Sequence, residues 1–203
     1  MSLAERDALL SCLLGQAWPH EPLLDALSLS PSADVLEVGA GQGRLLHFLS
    51  RRGHSGRLVG LDPQPGAGVQ TGSAEDLPLP TASFDVVLMV RMLSHCADPL
   101  QALTEARRVL RPGGTIVIAV QGKEHLKSLW RHAGTSAGRG AEDDVQDILQ
   151  NSGLTLERQD IRRIISLTLR DAQALLRGYG RSTRLAEADF PLTDTLHLAL
   201  FKA

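Results

Sequence analysis

Apolar residues follow two different spacings along the chain, and the spacings predict alternating strands and helices. Short runs that are apolar almost throughout, such as SFDVVLMV at 83–90 and TIVIAV at 115–120, are typical of strands buried on both faces. Elsewhere leucines recur at helical spacing, as in LAERDALLSCLLG at 3–15 and RLLHFLSRRG at 44–53. The segment WPHEP at 18–22 breaks the first of these helices, and Gly53, a common helix stop signal, ends the second.

These patterns predict an α/β fold with a mostly parallel sheet that is covered by helices on both faces. The predicted strands are 34–38, 56–63, 68–74, 83–90, 115–120, a part of 154–168, and 194–203. The predicted helices are 3–15, 21–29, 44–53, 97–110, 141–152 and 170–180. In such a sheet, ligands bind at the carboxyl ends of the strands, where the strand order reverses.

The sequence DVLEVGAGQG at 34–43 carries a functional signal at the end of the first predicted strand. Glu37 lies inside the strand, and Gly39, Gly41 and Gly43 follow it. The dinucleotide fingerprint G-x-G-x-x-G is not matched, because Arg44 stands where its third glycine would fall. A carboxylate just before the loop would repel a phosphate, whereas it would attract a ligand that carries a positive charge.

A second carboxylate, Asp62, ends the second predicted strand about twenty residues after the glycines, where it can accept hydrogen bonds from both hydroxyls of a ribose. S-adenosyl-L-methionine fits both features, since it has a ribose, a cationic sulfonium and an ammonium group but no phosphate. Glu37 would accept a hydrogen bond from the ammonium group directly or through water. The alternative interpretations are a surface carboxylate for Glu37 and an Asp-Pro turn for Asp62.

Residues 34–120 resemble the core of the class I S-adenosylmethionine-dependent methyltransferases, in the broad group that methylates small molecules, quinones and some RNAs. The matching segments, in the family's order, are VLEVGAGQG, GLDP, GSAEDLPLPTASFDVVLMV, LSHCADPLQALTEARRVLRPGG and TIVIA. The resemblance implies a Rossmann-like, doubly wound sheet of seven strands whose last strand is antiparallel. It also implies in-line transfer of the sulfonium methyl group to an acceptor, with S-adenosyl-L-homocysteine as the product.

The resemblance assigns cofactor-binding roles residue by residue. The methionine part of the cofactor, here called the methionine arm, would lie against Glu37, Gly39, Ala40, Gly41 and Gly43. Asp62 would hold the ribose, Pro63 would contact the adenine, and the adenine edge would be surrounded by Ser73, Ala74 and Glu75. Val90 and Arg91 would border the methyl-transfer site. Family members often have aspartate at the position of Ser73, so the shorter, neutral serine predicts weaker cofactor binding; the alternative is that Glu75 or Asp76 takes the place of that aspartate. His95 is the candidate general base, and the alternative is that it positions its loop.

The segment PQPGAGVQTG at 63–72 departs from the family, which has a helix there. Two prolines and three glycines within ten residues exclude a normal helix. We therefore expect an extended loop between the second and third strands. One face of the sheet would then be exposed, and a partner subunit or the N-terminal helices would cover it.

A chain of 203 residues is expected to form a single methyltransferase domain. We divide it into an N-terminal helical lid at 1–30, a cofactor-binding core at 31–120 and an acceptor-side half with insertions at 121–203. Residues 121–139 carry four basic residues against one acidic residue, and residues 158–184 carry seven arginines against two aspartates. Such a basic rim would attract an anionic acceptor or RNA, and the alternative is ordinary solvated faces. The loop HAGTSAGRGAEDD at 132–144 is either a lid or a connector.

Composition narrows the class of partner. The net charge of −2 gives no overall case for a nucleic acid or a membrane. Aromatic residues make up only 3% of the chain, which disfavours single-stranded RNA because its recognition depends on base stacking. The two cysteines have neither disulfide nor metal-site spacing, and neither a signal peptide nor a transmembrane segment is indicated, so we expect a cytoplasmic protein without a metal.

Three functions stay open at this point. The leading hypothesis is methyl transfer from S-adenosyl-L-methionine to a small-molecule acceptor, which the basic rim suggests is anionic. The second is an RNA methyltransferase. The third is a degenerate domain that binds the cofactor weakly and serves as an interaction module, which Ser73 and the lost helix favour. The chain is expected to be a monomer or a homodimer.

Overall fold

The structure is a computed structural model of the 203-residue chain, and it describes residues 1–134, 140–181 and 183–203. Arg139 and the centre of the predicted loop at 132–144 lie outside the described residues. No helix within these ranges is both long enough and apolar enough to cross a membrane.

Seven strands of the described chain form one mixed sheet in the order β3-β2-β1-β4-β5-β7-β6. The strands are β1 Val35–Val38, β2 Leu58–Asp62, β3 Gln70–Thr71, β4 Phe84–Val90, β5 Leu110–Gln121, β6 Glu157–Leu167 and β7 Leu192–Lys202. The pairs among β1 to β5 are parallel. Ile116 and Ala203, at the end of β7, exchange backbone hydrogen bonds of 3.0 and 3.1 Å, as in an antiparallel pair. The predicted Rossmann-like sheet with an antiparallel last strand is confirmed.

The helices follow the leucine patterns, with one addition. They are α1 Leu3–Leu14, α2 His20–Ala26, α3 Arg44–Arg51, α4 Pro99–Val109, α5 Lys127–His132, α6 Ala141–Asn151 and α7 Leu169–Gly178. Helix α1 begins with a capping box, in which Ser2 and Glu5 each accept a hydrogen bond from the other's backbone N–H, and Gly15 ends it in the left-handed conformation.

The sequence analysis does not predict helix α5, because the residue that accepts hydrogen bonds from the helix's N-terminal N–H groups lies far away in the sequence. Leu126 precedes the helix and provides no side-chain cap. Instead, the buried carboxylate of Asp194 accepts hydrogen bonds from the N–H groups of Ser128 and Leu129, at 3.2 and 2.7 Å. A cap that lies more than sixty residues away leaves no local signal in the sequence.

The segment RPGG at 111–114, between the predicted helix at 97–110 and the predicted strand at 115–120, is part of β5. Phe84 pairs with Leu110 whereas Val86 pairs with Thr115, so the extra residues are accommodated by a register shift. Gly113 has a φ of 81°, which only glycine adopts freely. The turn-forming residues therefore produce an irregularity within the strand.

Backbone contacts divide the chain into two compact units. The first comprises Met1–Ala26, Gly122–Gly140 and Asp160–Leu198; the second comprises Leu27–Gln121, Ala141–Gln159 and Ala199–Ala203. The core of the second unit is built from buried residues such as Leu36, Leu61, Val87, Ala106 and Ile118. The glycine loop, all the cofactor-binding candidates of the sequence analysis and His95 belong to this second unit.

Candidate functional site

The glycine loop at the end of β1 depends on backbone conformations that favour glycine. Gly39, Gly41 and Gly43 have φ values of 73°, 54° and 68°. The Gly39 and Ala40 N–H groups both donate to the Leu61 carbonyl, at 2.8 and 3.0 Å, and the Gly43 N–H donates to the Ala40 carbonyl at 2.8 Å. These bonds fix a tight turn at the point where the strand order reverses between β1 and β4.

Glu37 places a buried carboxylate directly before this loop. The residue is 5% exposed, and its Oε2 accepts no hydrogen bond from any described residue. Burial raises the pKa of the Glu37 carboxyl to about 8, and the negative charge of Asp62 adds to the rise. A buried polar atom without a partner is costly, so the atom is suited to a ligand that brings a hydrogen-bond donor and a positive charge.

Asp62, at the end of β2, holds the glycine loop in place. One carboxylate oxygen accepts the Gly41 N–H at 2.8 Å, and the other accepts the Gln64 N–H at 2.8 Å. A carboxylate has about four lone-pair sites, so two further hydrogen bonds are within its capacity. The side chain is half-buried, whereas the neighbouring Pro63 is exposed.

The loop at 63–69 takes the place of the helix that the family has after β2, as the sequence predicts. The chain runs from β2 to β3 without a helix. The Gly66 N–H donates to the Gly41 carbonyl at 2.8 Å, and a Cβ at Gly66 would lie 2.9 Å from the Gln42 Cα. The shortened segment therefore packs against the glycine loop, and this contact requires a glycine at position 66.

The three candidates for the adenine edge follow β3 and differ in their surroundings. Ala74 is buried and Ser73 is exposed. The Ser73 hydroxyl donates a short hydrogen bond to the Glu75 carboxylate, which lowers the pKa of that carboxyl. Glu75 also accepts hydrogen bonds from the N–H groups of Ala97 and Asp98, at 2.9 and 3.4 Å. Its carboxylate therefore ties this edge of the site to the start of α4.

The end of β4 brings a further residue against the glycine loop. Val90 and Arg91 are half-buried, and Arg91 has a φ of 53°. A Cβ at Gly39 would lie 2.7 Å from the Met92 Cβ, so Met92 packs directly on the loop. Sequence reasoning missed Met92, because a methionine after a strand gives no signal of such a contact.

His95 lies in a 3₁₀ turn, Leu93–His95, and its side chain is exposed. Its backbone N–H donates to the Met92 carbonyl at 2.8 Å. Burial raises the pKa of the neighbouring Cys96 thiol to about 11, so this thiol is protonated at neutral pH. The assignment of His95 as a general base stays a prediction.

Two arginines of the predicted basic rim form ion pairs with acidic residues. In the first unit, Arg162 pairs with Glu124 at 2.5 Å and with Asp160 at 3.2 Å. In the second unit, Arg158 pairs at 2.7 Å with Glu142, whose side chain is fully buried. These pairs reduce the positive charge that each segment presents to solvent.

Comparisons with known proteins agree with this architecture. Residues 36–118 match the family described as "Methyltransferase domain". An uncharacterized methyltransferase of Mycobacterium tuberculosis is 34% identical over 142 residues, which are 64% of this chain and 56% of that protein. A ubiquinone biosynthesis O-methyltransferase of Cereibacter sphaeroides is 30% identical over 149 residues, 59% of each chain. The chain thus spans less than two thirds of the length of these curated relatives.

A solved SAM-dependent methyltransferase of Aquifex aeolicus has the same fold. It superposes with a TM-score of 0.59 at 18% sequence identity, covering 100% of this chain and 98% of that chain. At such low identity the likeness concerns the fold alone. The sequence match to the family lies on the sheet and loop described above, and the cofactor of this family is S-adenosyl-L-methionine. The family match, the methyltransferase relatives and the shared fold together support a class I S-adenosylmethionine-dependent methyltransferase.

Proposed function

We propose that this chain binds S-adenosyl-L-methionine at the glycine loop and transfers its methyl group to a small-molecule acceptor. The observation that carries the proposal is the Glu37 carboxylate, which is 5% exposed and whose Oε2 has no partner in the described part of the chain. A cationic donor is the ligand chemistry that such a group fits best.

The residues of the second unit supply binding and orientation. Glu37 would accept a hydrogen bond from the ammonium group of the methionine arm, and Asp62 would accept hydrogen bonds from the ribose hydroxyls with its remaining lone pairs. Ala40 and the three loop glycines would lie along the arm, and Ala74 would lie beside the adenine. When bound, the cofactor supplies an electrophilic methyl group on its sulfonium. The protein then has to hold the acceptor in line with that group and exclude water.

A small-molecule acceptor is supported by three observations. The described ion pairs of Arg158 and Arg162 reduce the charge available to an RNA backbone, and aromatic residues for stacking on bases make up only 3% of the chain. One relative, from Cereibacter sphaeroides, is named as an O-methyltransferase of ubiquinone biosynthesis, and this name is consistent with a small-molecule acceptor.

Calorimetry with S-adenosyl-L-homocysteine tests the cofactor part of the proposal. We expect one site with a Kd tighter than about 100 μM, which corresponds to about −5.5 kcal/mol. The absence of binding at that concentration would instead favour the degenerate domain.

Methyl transfer tests the acceptor class. The protein is incubated with methyl-labelled cofactor and with two separate fractions, one of small molecules and one of total RNA. We expect label in the small-molecule fraction only. Label in the RNA fraction, together with a salt-dependent shift of labelled RNA, would overturn the proposed acceptor class.

The substitution Asp62→Ala is expected to weaken S-adenosyl-L-homocysteine binding at least about tenfold, or about 1.4 kcal/mol. It removes the ribose acceptor and the carboxylate that holds the Gly41 N–H at 2.8 Å. The matched control is Asp147→Ala, because Asp147 is an exposed aspartate of the same unit and lies in helix α6. Calorimetry that finds equal affinity in the two variants would remove Asp62 from the site.

A further inference from the structure

The backbone N–H groups of the glycine loop are largely satisfied within the protein. Gly39 and Ala40 donate to the Leu61 carbonyl, Gly41 donates to the Asp62 carboxylate, and Gly43 donates to the Ala40 carbonyl, all at 2.8 to 3.0 Å. A methionine arm carries a carboxylate as well as an ammonium group. Glu37 suits the ammonium group, but these four amides are already occupied, so the carboxylate requires a donor from another residue.

Arg91 stands at the end of the neighbouring strand. The β1–β4 register pairs Val38 with Met89, so the glycine loop and residue 91 leave adjacent strand ends on the same edge of the sheet. A Cβ added at Gly39 would lie 2.7 Å from the Met92 Cβ. The corner that follows β4, at residues 91–92, therefore lies against the glycine loop.

The backbone of Arg91 is strained. Its φ of 53° lies in the left-handed region, which residues other than glycine, asparagine and aspartate rarely adopt. The Arg91 N–H donates to the Ala119 carbonyl at 2.7 Å, which holds the corner in this conformation. Strained residues of this kind concentrate at ligand sites. Glycine would relieve the strain at this position, so the presence of arginine indicates a role for its side chain.

We propose that Arg91 binds the carboxylate of the cofactor's methionine arm, while Glu37 binds the ammonium group. This assignment rests on the proposed function. A guanidinium group offers a planar pair of donors that matches a carboxylate, and it stays charged at every relevant pH. The two side chains would thus present opposite charges to the two charged ends of a zwitterion.

Arg44 is the competing cation and provides the matched control. It follows Gly43 directly, at the start of α3, but its side chain is exposed. Arg91 is half-buried, and a charge pair that is shielded from water is worth more than an exposed one. Charge near the loop alone would predict equal effects for the two arginines, whereas a dedicated carboxylate site predicts an effect for Arg91 only.

The test is calorimetry on the full chain with three ligands. They are S-adenosyl-L-homocysteine, its decarboxylated analogue 5′-(3-aminopropylthio)-5′-deoxyadenosine, and 5′-methylthioadenosine, which lacks the whole arm. We expect Arg91→Gln to weaken S-adenosyl-L-homocysteine about tenfold to a hundredfold, the range for hydrogen bonds to charged groups. The affinities for the other two ligands are expected to change less than about twofold, and Arg44→Gln is expected to leave all three affinities within the same margin.

Binding of 5′-methylthioadenosine reports that the fold and the adenosine site are intact in each variant. Arg91→Asn serves as a second variant, because asparagine tolerates a positive φ, and it should show the same ligand selectivity. The assignment is overturned if Arg91→Gln binds S-adenosyl-L-homocysteine with wild-type affinity, or if its affinity for the decarboxylated analogue falls by the same factor. It is also overturned if Arg44→Gln, rather than Arg91→Gln, weakens S-adenosyl-L-homocysteine binding. A wild-type chain that binds none of the three ligands would overturn the proposed function itself.

Discussion

The affinity for S-adenosyl-L-homocysteine is expected to rise about tenfold per pH unit between about pH 6 and 7.5, and to level off near pH 8. The cause is Glu37, whose pKa is raised to about 8 by burial and by the charge of Asp62. Below pH 8 the free protein holds a proton on the Glu37 carboxyl. The free ligand holds one on its amine, because an α-amino group is protonated below about pH 8. The complex shares one proton between the two groups, so binding releases one proton.

Calorimetry in two buffers of different ionisation enthalpy measures that proton release directly. At pH 6.5 we expect about one proton per binding event. The ligand control is 5′-methylthioadenosine, which has no amine and should bind with little dependence on pH. Glu37→Gln keeps the size of the side chain but cannot ionise. We expect it to lose the pH dependence and to bind S-adenosyl-L-homocysteine about a hundredfold more weakly at pH 8. A wild-type affinity that is flat across this range contradicts the role of Glu37.

The same carboxyl makes the stability of the ligand-free protein depend on pH. Its pKa is about 8 when folded and near the model-peptide value of 4.5 when unfolded, so between these values the folded state holds more protons. The stabilisation is fully present below about pH 4.5 and is lost as the pH rises through 8. The unfolding free energy of the wild type should therefore fall by a few kcal/mol relative to Glu37→Gln between about pH 5 and 8. Urea denaturation at the two pH values measures this difference.

The substitution Gly39→Ala is expected to lower the unfolding free energy by about 3 kcal/mol. An alanine there must keep a φ of 73°, which costs about 1 kcal/mol. Its Cβ would also lie 2.7 Å from the Met92 Cβ, an overlap that forces the β4 corner to move and costs about 2 kcal/mol more.

Gly53→Ala separates the two contributions. Gly53 has a φ of 82°, and a Cβ there would meet no atom within 4 Å. This variant should therefore lose only the backbone contribution, about 1 kcal/mol. Urea denaturation of both variants gives the comparison. Equal losses in Gly39→Ala and Gly53→Ala would show that Met92 does not press on the loop.

The sheet and the glycine loop could be predicted because their signals are local. The run at 84–90 is apolar along most of its length, and the acidic residue followed by three glycines falls within seven positions. The missing helix between β2 and β3 was also predictable, since prolines and glycines fill that segment. The same segment's contact with the glycine loop, through Gly66, was not predictable, because it depends on how two distant turns meet in three dimensions.

The rest of the site depends on pairings that no local pattern records. Asp62 holds the Gly41 N–H across 21 residues of sequence, and Glu75 holds the Ala97 N–H across 22. Helix α5 receives its cap from Asp194, which is 66 residues away from Ser128. Spacing and composition can name such residues as candidates, but the backbone groups that they bind are fixed only when the strands are in register.

A crystal structure of the protein grown with S-adenosyl-L-homocysteine tests the central claim most directly. We expect the ammonium nitrogen of the ligand within hydrogen-bonding distance of Glu37 Oε2, and the ribose hydroxyls at the Asp62 carboxylate. A ligand bound elsewhere, or a glycine loop left empty at saturating ligand while Glu37 bonds to another protein group, would contradict the account.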